Sequence, residues 1–278
     1  MTARPPETLS HSAMSTYYRC GEQYRRRYIE REVMPAGIAA LAGSAVHSAV
    51  EAYYRKKRDE AAELSVDDVK QAAADAFDAR AAKGEYMLDA DEQARGKEVV
   101  LAEGKDKAVR LAALHRVTLA PSIQPDLIEA RIEVDVPGIR RRLVGIVDLA
   151  TVAEPDAPEG VGGDIVDLKT SKKRGSQEDV DRSLQLTWYD VAYQALTGRR
   201  ARRVVHHELV DTKTPQANVI ESSRDDNDRR VLAGYIQRAE QGIDAGVFLP
   251  AAIGSWCCSE RFCAFAPTCP YFPTHRGG

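Results

Sequence analysis

The chain has 278 residues, 44% of them hydrophobic and 29% charged, with a net charge of −3. That length supports one large domain or two modest ones with a proper core, and no apolar run approaches the roughly 20 residues that a membrane-spanning helix needs. A slightly acidic total excludes a protein coated in positive charge, yet Lys and Arg come in clumps: Arg25–Arg27, Arg140–Arg142, Lys172–Arg174, and Arg199–Arg200 with Arg202–Arg203. Clumped cations can line a phosphate track even when the total is acidic, although the plain reading of any one clump is a solvated face.

In chain order, residues 1–10 carry neither an apolar signal core nor a cleavage signature, so the expected address is cytoplasmic. Residues 12–35 predict a short helix and turn bearing Tyr17, Tyr18, Tyr24 and Tyr28. Gly43-Ser44-Ala45-Val46-His47 is expected to open a helix running to about Arg58, with His47 early in it. Residues 65–118, rich in Ala, Lys and Glu, predict helices that start at the Ser65-x-x-Asp68 capping signal and break around 84–91. Strands are expected at 127–136, 141–152 and 164–169, then a helix over 180–197 ended by Gly198. A strand at 203–211, a helix at 225–245 and a tail of cysteine, proline and aromatic residues complete the order. It predicts a mixed α/β fold, a central sheet flanked by helices, as a single unit over 1–278. Its parts are a mostly helical segment at 1–120, a core at 121–245 and a cysteine tail at 246–278.

Two of the strands are tipped with acid: Leu143–Asp148 and Asp164–Lys169. Strand side chains alternate faces, so Asp167 and Lys169 share one face and Val166 and Leu168 the other. If the strands pair, Asp148 joins Asp167 and Lys169 in one patch, a donor set suited to a hard divalent cation and to an activated water. Taken alone, an Asp-x-Lys is more often an exposed salt bridge. Lys172, Lys173 and Arg174 follow this patch directly and are the most suggestive of the basic clumps. Glu129, just inside the first strand, is a further acid near it. His47, behind its small-residue approach, is by itself more often a satisfied histidine than a ligand. Gln185 and Tyr189, four apart on one helix face, offer hydrogen bonds and a ring to phosphate or base, or simply form a half-buried face.

The five cysteines are Cys20, Cys257, Cys258, Cys263 and Cys269. An odd number in a reducing compartment argues against a disulfide framework and toward a metal or an iron–sulfur cluster. Cys258, Cys263 and Cys269 need a fourth partner, which Cys20 or Cys257 can supply; adjacent residues seldom ligate one metal, which favours Cys20. Such a site would tie the chain's beginning to its end. Spacing alone does not separate iron–sulfur from zinc, and buried free thiols are the plain alternative.

Taken in order, these fragments resemble the PD-(D/E)XK nuclease superfamily, specifically its RecB-like iron–sulfur branch, which includes CRISPR-associated spacer-acquisition nucleases and many phage exonucleases. Ser15–Cys20 with Tyr24 and Tyr28 is similar to the family's N-terminal cysteine helix, and Gly43–His47 to its histidine motif. Gly145–Asp148 and Ile165–Lys169 resemble the two central motifs, the first without the proline of the family's name. Gln185-x3-Tyr189 is similar to the Q-x3-Y motif, and Trp256–Cys269 to the terminal cysteine cluster. The resemblance implies a restriction-endonuclease-like core and a DNA exonuclease serving recombination, repair or phage DNA processing. It implies Mg²⁺ or Mn²⁺ on His47, Asp148, Asp167 and the Leu168 carbonyl, with Lys169, Asp148 and Asp167 catalytic. It also implies a 4Fe-4S cluster on Cys20, Cys258, Cys263 and Cys269, with a zinc ion as the alternative. Gln185, Tyr189, Glu129, Lys172, Lys173 and Arg174 would support the site and the DNA strand. No phosphate-binding G-x4-G-K-[ST] loop occurs, so any helicase or recombination partner would be a separate polypeptide. The rival reading is a non-catalytic DNA-binding module of the same fold.

Overall fold

Segments rich in Ile and Val fall close to where their pattern places them and assemble into one mixed sheet. A computed structural model describes residues 4–272. The chain opens with β1 (Thr8–Ser10), α1 (His11–Arg19), α2 (Gly21–Tyr24) and a π-helical turn, Arg25–Ile29. A helical arm follows: β2 (Ala36–Gly37), α3 (Ile38–Glu60), α4 (Val66–Ala81), β3 (Tyr86–Met87), α5 (Ala90–Arg95) and α6 (Lys97–Thr118). The core then runs β4 (Pro125–Val134), β5 (Arg142–Thr151), β6 (Ile165–Ser171), α7 (Gln177–Asp181), α8 (Leu184–Thr197), β7 (Val204–Val210), β8 (Gln216–Ser222) and α9 (Asp226–Asp244).

Three expectations need correction. Helix α3 starts at Ile38 rather than at Gly43, so His47 lies well inside it; Ile38, Leu41, Ala42, Ala45, Val46 and Ala49 form its buried stripe. Gly43 instead serves close approach, since a side chain there would begin 3.0 Å from Thr170 Oγ1 on β6. The helix expected over 180–197 is two helices, because the Ser183 side chain accepts from Leu186 N–H and restarts the chain as α8; it ends, as expected, at Gly198 with φ 73°. Strand β8 was not anticipated.

The sheet runs β1-β5-β6-β7-β8, with β4 on the other edge of β5. Helices cover both faces. Helices α3, α4 and α6 bury Val46, Val50, Tyr54, Phe77 and Leu111 against Ile128, Leu149, Val166, Leu168, Val205 and Leu209 of the sheet. Helices α1, α8 and α9 pack Met14, Trp188, Tyr193, Leu232 and Ile236 against Ile132, Leu143, Val147, Ile165 and Val204 on the opposite face. Among the described residues, no helix is long and apolar enough to cross a membrane.

Candidate active site and cysteine cavity

Strands β1 and β6 share one edge of β5: β1 pairs parallel with Arg142–Val144, and β6 pairs antiparallel only at Leu149↔Val166 and Ala150↔Ile165. Past those two pairs, β5 and β6 splay, and Asp148 Oδ2 accepts from the Leu168 N–H at 2.9 Å across the fork. On β4, Glu129 stands opposite Asp148, between the pairs Ile128↔Leu149 and Ala130↔Val147. Its φ of 43° puts a non-glycine residue in the left-handed region. The kink breaks the pleat. Ile132 and Val134 face α8 and α9, whereas Ile128, on the same parity, faces the helical arm.

Helix α3 lays His47 across the fork. His47 Nδ1 lies 3.3 Å from Glu129 Oε1 and 3.7 Å from Asp148 Oδ2, and Nε2 is 2.9 Å from the Leu168 carbonyl oxygen. One ligand atom from each of His47, Glu129 and Asp148 falls within 4.8 Å of the others, a group able to hold a metal ion. Burial pushes the Asp148 carboxyl up to about 6, with His47 opposing and Asp167 adding to the rise. Burial works to lower the His47 imidazole, but the Glu129 hydrogen bond and the surrounding carboxylates outweigh it and leave it raised. Crowded acid of this kind fits a divalent cation, which would neutralise it.

Asp167 looks elsewhere. Its Oδ1 accepts from Lys169 Nζ at 3.0 Å. Its Oδ2, buried and without a hydrogen bond, lies 3.2 Å from His206 Nε2, on the residue paired with Asp167 across β7. Burial opposes the Asp167 anion, but His206 and Lys169 prevail and hold it below the usual carboxylate range. Lys169 Nζ also donates to Gln185 Oε1 at 3.1 Å, and Gln185 Nε2 donates to the Tyr189 hydroxyl at 2.8 Å. Helix α8 therefore props the lysine from behind through the i,i+4 pair. A cleft beside the site is lined by Ser10, His11, Glu129, Asp148, Gln185 and Trp188. Burial, then the Lys169 charge, lowers the His11 imidazole to about 4.

The basic clumps divide into two kinds. Arg25 and Arg26 pair with Glu22 and Glu32; Arg140, Arg141 and Arg142 with Asp244 and Glu133; Arg200, Arg202 and Arg203 with Asp226 and Asp164. Lys172, Lys173 and Arg174 are exposed and, among the described residues, make no ion pair.

Beyond the far end of α1 from His11, Cys20, Cys257, Cys258, Cys263 and Cys269 line one cavity with Gln23, Arg26 and Phe265. All five are free thiols. Gly21 is needed here, because a side chain would begin 2.6 Å from the Leu249 nitrogen of the tail. Cys20 Sγ accepts from the backbone N–H groups of Gln23 and Ala251 at 3.4 and 3.3 Å, and Gln23 Nε2 points at Cys263 Sγ from 3.8 Å. The Cys257 thiol is instead 3.2 Å from Ser255 Oγ. Burial, reinforced by neighbouring thiols, pushes Cys258 and Cys263 up. Among the described residues, no three of these thiols lie within 4.8 Å of one another.

The fork thus draws together His47, Asp148, the Leu168 carbonyl and Glu129, with Asp167, Lys169, Gln185 and Tyr189 alongside. Glu129 was expected among the supporting residues, and the geometry places it with His47 and Asp148. Asp167 was expected among the metal ligands, and it turns toward Lys169 and His206. His206 and His11 escaped the sequence reading; nothing in the spacing of the chain announces which β7 residue registers with Asp167.

A family model for the PD-(D/E)XK nuclease superfamily matches residues 8–270. No curated protein matches the chain. Among solved structures, a "Putative exonuclease" from Eubacterium rectale is similar at a TM-score of 0.56 and 13% identity, over 91% of this chain and 87% of that one. SSO0001 is similar at a TM-score of 0.44 and 13% identity, over 98% of this chain and 89% of its own. The first of these likenesses is one of fold.

Proposed function

The chain belongs to the PD-(D/E)XK nuclease superfamily, and from that premise we propose that it is a metal-dependent exodeoxyribonuclease acting on DNA ends in recombination, repair or phage DNA processing. The observation that carries this reading is the convergence of His47, Glu129 and Asp148 beside a lysine held by Asp167 and Gln185. His47, Glu129 and Asp148 would hold Mg²⁺ or Mn²⁺, with Asp167 and the Leu168 carbonyl adjoining. Such an ion supplies charge neutralisation at the scissile phosphate and acidifies water.

The chain's own residues do the rest. An ammonium has three donors; Lys169 spends two on Asp167 and Gln185, which leaves one for the attacking water or a phosphate oxygen. Asp167 keeps that lysine aimed. Tyr189 keeps the Gln185 amide turned so that its oxygen faces the lysine. Lys172, Lys173 and Arg174 leave the end of β6 as exposed cations along which a phosphate backbone can run. For the cysteine cavity the reading is a 4Fe-4S cluster on Cys20, Cys258, Cys263 and Cys269. Four thiolates on one zinc, at about 2.3 Å each, would sit about 3.8 Å apart, whereas no three of these thiols lie within 4.8 Å of one another among the described residues. Anaerobically purified protein is expected to be brown and to contain iron and sulfide; colourless protein with stoichiometric zinc would refute the cluster.

Digestion of end-labelled linear and circular DNA, single- and double-stranded, with and without Mg²⁺, tests the activity. Replacing Lys169 by Ala should cut the Mg²⁺-dependent rate by about 100-fold or more, with the melting temperature little changed. Digestion at wild-type rate in that variant would sink the assignment, and no digestion by the wild type would favour a non-catalytic DNA-binding module.

A further inference from the structure

We propose that Arg26 is the charge partner of the cysteine cavity and sets the reduction potential of the cluster it holds; the inference rests on the iron–sulfur reading of that cavity. Arg26 comes from the π-helical turn that follows Cys20 and is 9% exposed. It lines the cavity together with Cys20, Cys258, Cys263 and Cys269. Its guanidinium lies over the Phe265 ring at 4.5 Å from the centroid. It donates to the Phe265 carbonyl at 3.4 Å and to Thr268 Oγ1 at 2.8 Å, the residue before Cys269. Nε and Nη2 hold Glu32 at 2.9 and 2.6 Å. With its donors engaged on both the turn and the tail, the cation is pinned at the cavity wall.

The charge balance around it is uneven. The acid on the wall, Glu22, pairs with Arg25 at 2.7 Å. The Arg26 side chain is 11% exposed and that of Glu32 is 38% exposed, so water screens the carboxylate far more than the guanidinium. Within this pair the cation is the less screened member at the cavity wall. A cubane cluster on four thiolates is doubly negative, and one-electron reduction makes it triply negative with no bond made and no proton moved. A fixed buried cation favours the reduced form, and cluster charge and sulfur hydrogen bonds are the levers that set such potentials. The Gln23 amide facing Cys263 acts in the same direction.

A purely structural role for Arg26, clamping the tail, would look the same in the geometry but not in a redox titration. The test is the midpoint potential of the anaerobically purified holoprotein, read spectroelectrochemically with small one-electron mediators. Arg26→Gln should lower the potential and Arg26→Lys should retain most of it. Glu32→Gln, which removes the screened counter-charge, should raise it. Loosening the tail would expose the cluster to water in both variants and move both potentials the same way, so shifts of opposite sign support the proposal. If Arg26→Gln cannot hold the cluster, the sign of the Glu32→Gln shift decides alone. An unchanged or lowered potential in cluster-loaded Glu32→Gln overturns the role of Arg26 while leaving the cluster standing. Iron-free, zinc-bound wild type overturns the cluster and this inference with it.

Discussion

Glu129 carries a left-handed backbone, φ 43°, in the middle of a strand, a conformation that costs a non-glycine residue on the order of 1–3 kcal/mol. What the fold gains is position: the kink turns the carboxylate to within 3.3 Å of His47 Nδ1. Two substitutions separate strain from chemistry. Glu129→Gln keeps the shape and removes the charge, so Mn²⁺ affinity measured by calorimetry should fall by about 10-fold or more. Glu129→Gly relieves the φ and loses the ligand, so it should lose metal binding while gaining on the order of 1 kcal/mol in urea unfolding. If both variants bind Mn²⁺ like the wild type, Glu129 is a bystander. This residue also marks how far the sequence reads. Asp148, Asp167 and Lys169 were legible because strand alternation puts acids and lysine on one face. His47 and Glu129 were picked out too, but that Glu129 stands with His47 and Asp148 was not legible, because it depends on one positive φ and on how α3 crosses the sheet. His206 was hidden for a similar reason: the β6–β7 register exists only in three dimensions.

Among the elements, the turn before β5 and the basic turn after β6 divide stability from binding. Arg141 is fastened to the Pro6 carbonyl at 3.0 Å and to Asp244, and its own N–H reaches Glu240 Oε1 at 2.6 Å; such arginines hold the fold together. The side chains of Lys172, Lys173 and Arg174 are exposed and make no ion pair among the described residues. Replacing those three by Ala should therefore leave the melting temperature within a degree or two and flatten the plot of log affinity against log salt by about 2 to 3 in slope. Fluorescence anisotropy with Ca²⁺ in place of Mg²⁺ reads that slope without turnover, and an unchanged slope would remove the turn from the DNA path. Composition could list the clumps but not sort them, because their carboxylate partners are remote in sequence. Elements with strong local signals were legible, including the Ser65/Asp68 capping box that the structure forms at 3.1 Å. Strand β8 was not: Gln216–Ser222 is an edge strand with one buried residue, Ile220, and little alternation to read.

Across the whole molecule, the layer under α3, α4 and α6 makes the fold sensitive to acid through two buried histidines outside the fork. His115 of α6 and His207 of β7 are 2% and 6% exposed, with rings 5.8 Å apart, and His115 also stands edge-on to Tyr54 of α3, the helix that carries His47. Burial, with the neighbouring histidine adding, lowers His115 to about 3, and burial lowers His207 to about 4. Both are neutral in the folded protein near pH 5, whereas in the unfolded chain both titrate near 6.5. As pH falls below 6.5, the unfolded state takes up protons that the folded state refuses, so stability falls with pH; above 7 neither group contributes. Asp148 and His47, raised in the fold, act in the opposite direction over part of that range, so a variant isolates the effect better than the wild-type curve does. His115→Phe keeps a ring against Tyr54 and removes the titration. Relative to wild type, its unfolding free energy should therefore improve by about 2 kcal/mol between pH 7.5 and pH 5.0, the interval below 6.5 being about 1.5 units at about 1.4 kcal/mol each. Urea titrations of both proteins at the two pH values measure this directly. Parallel pH dependence would show that His115 titrates alike in both states, and that the acid sensitivity of the helical face lies elsewhere.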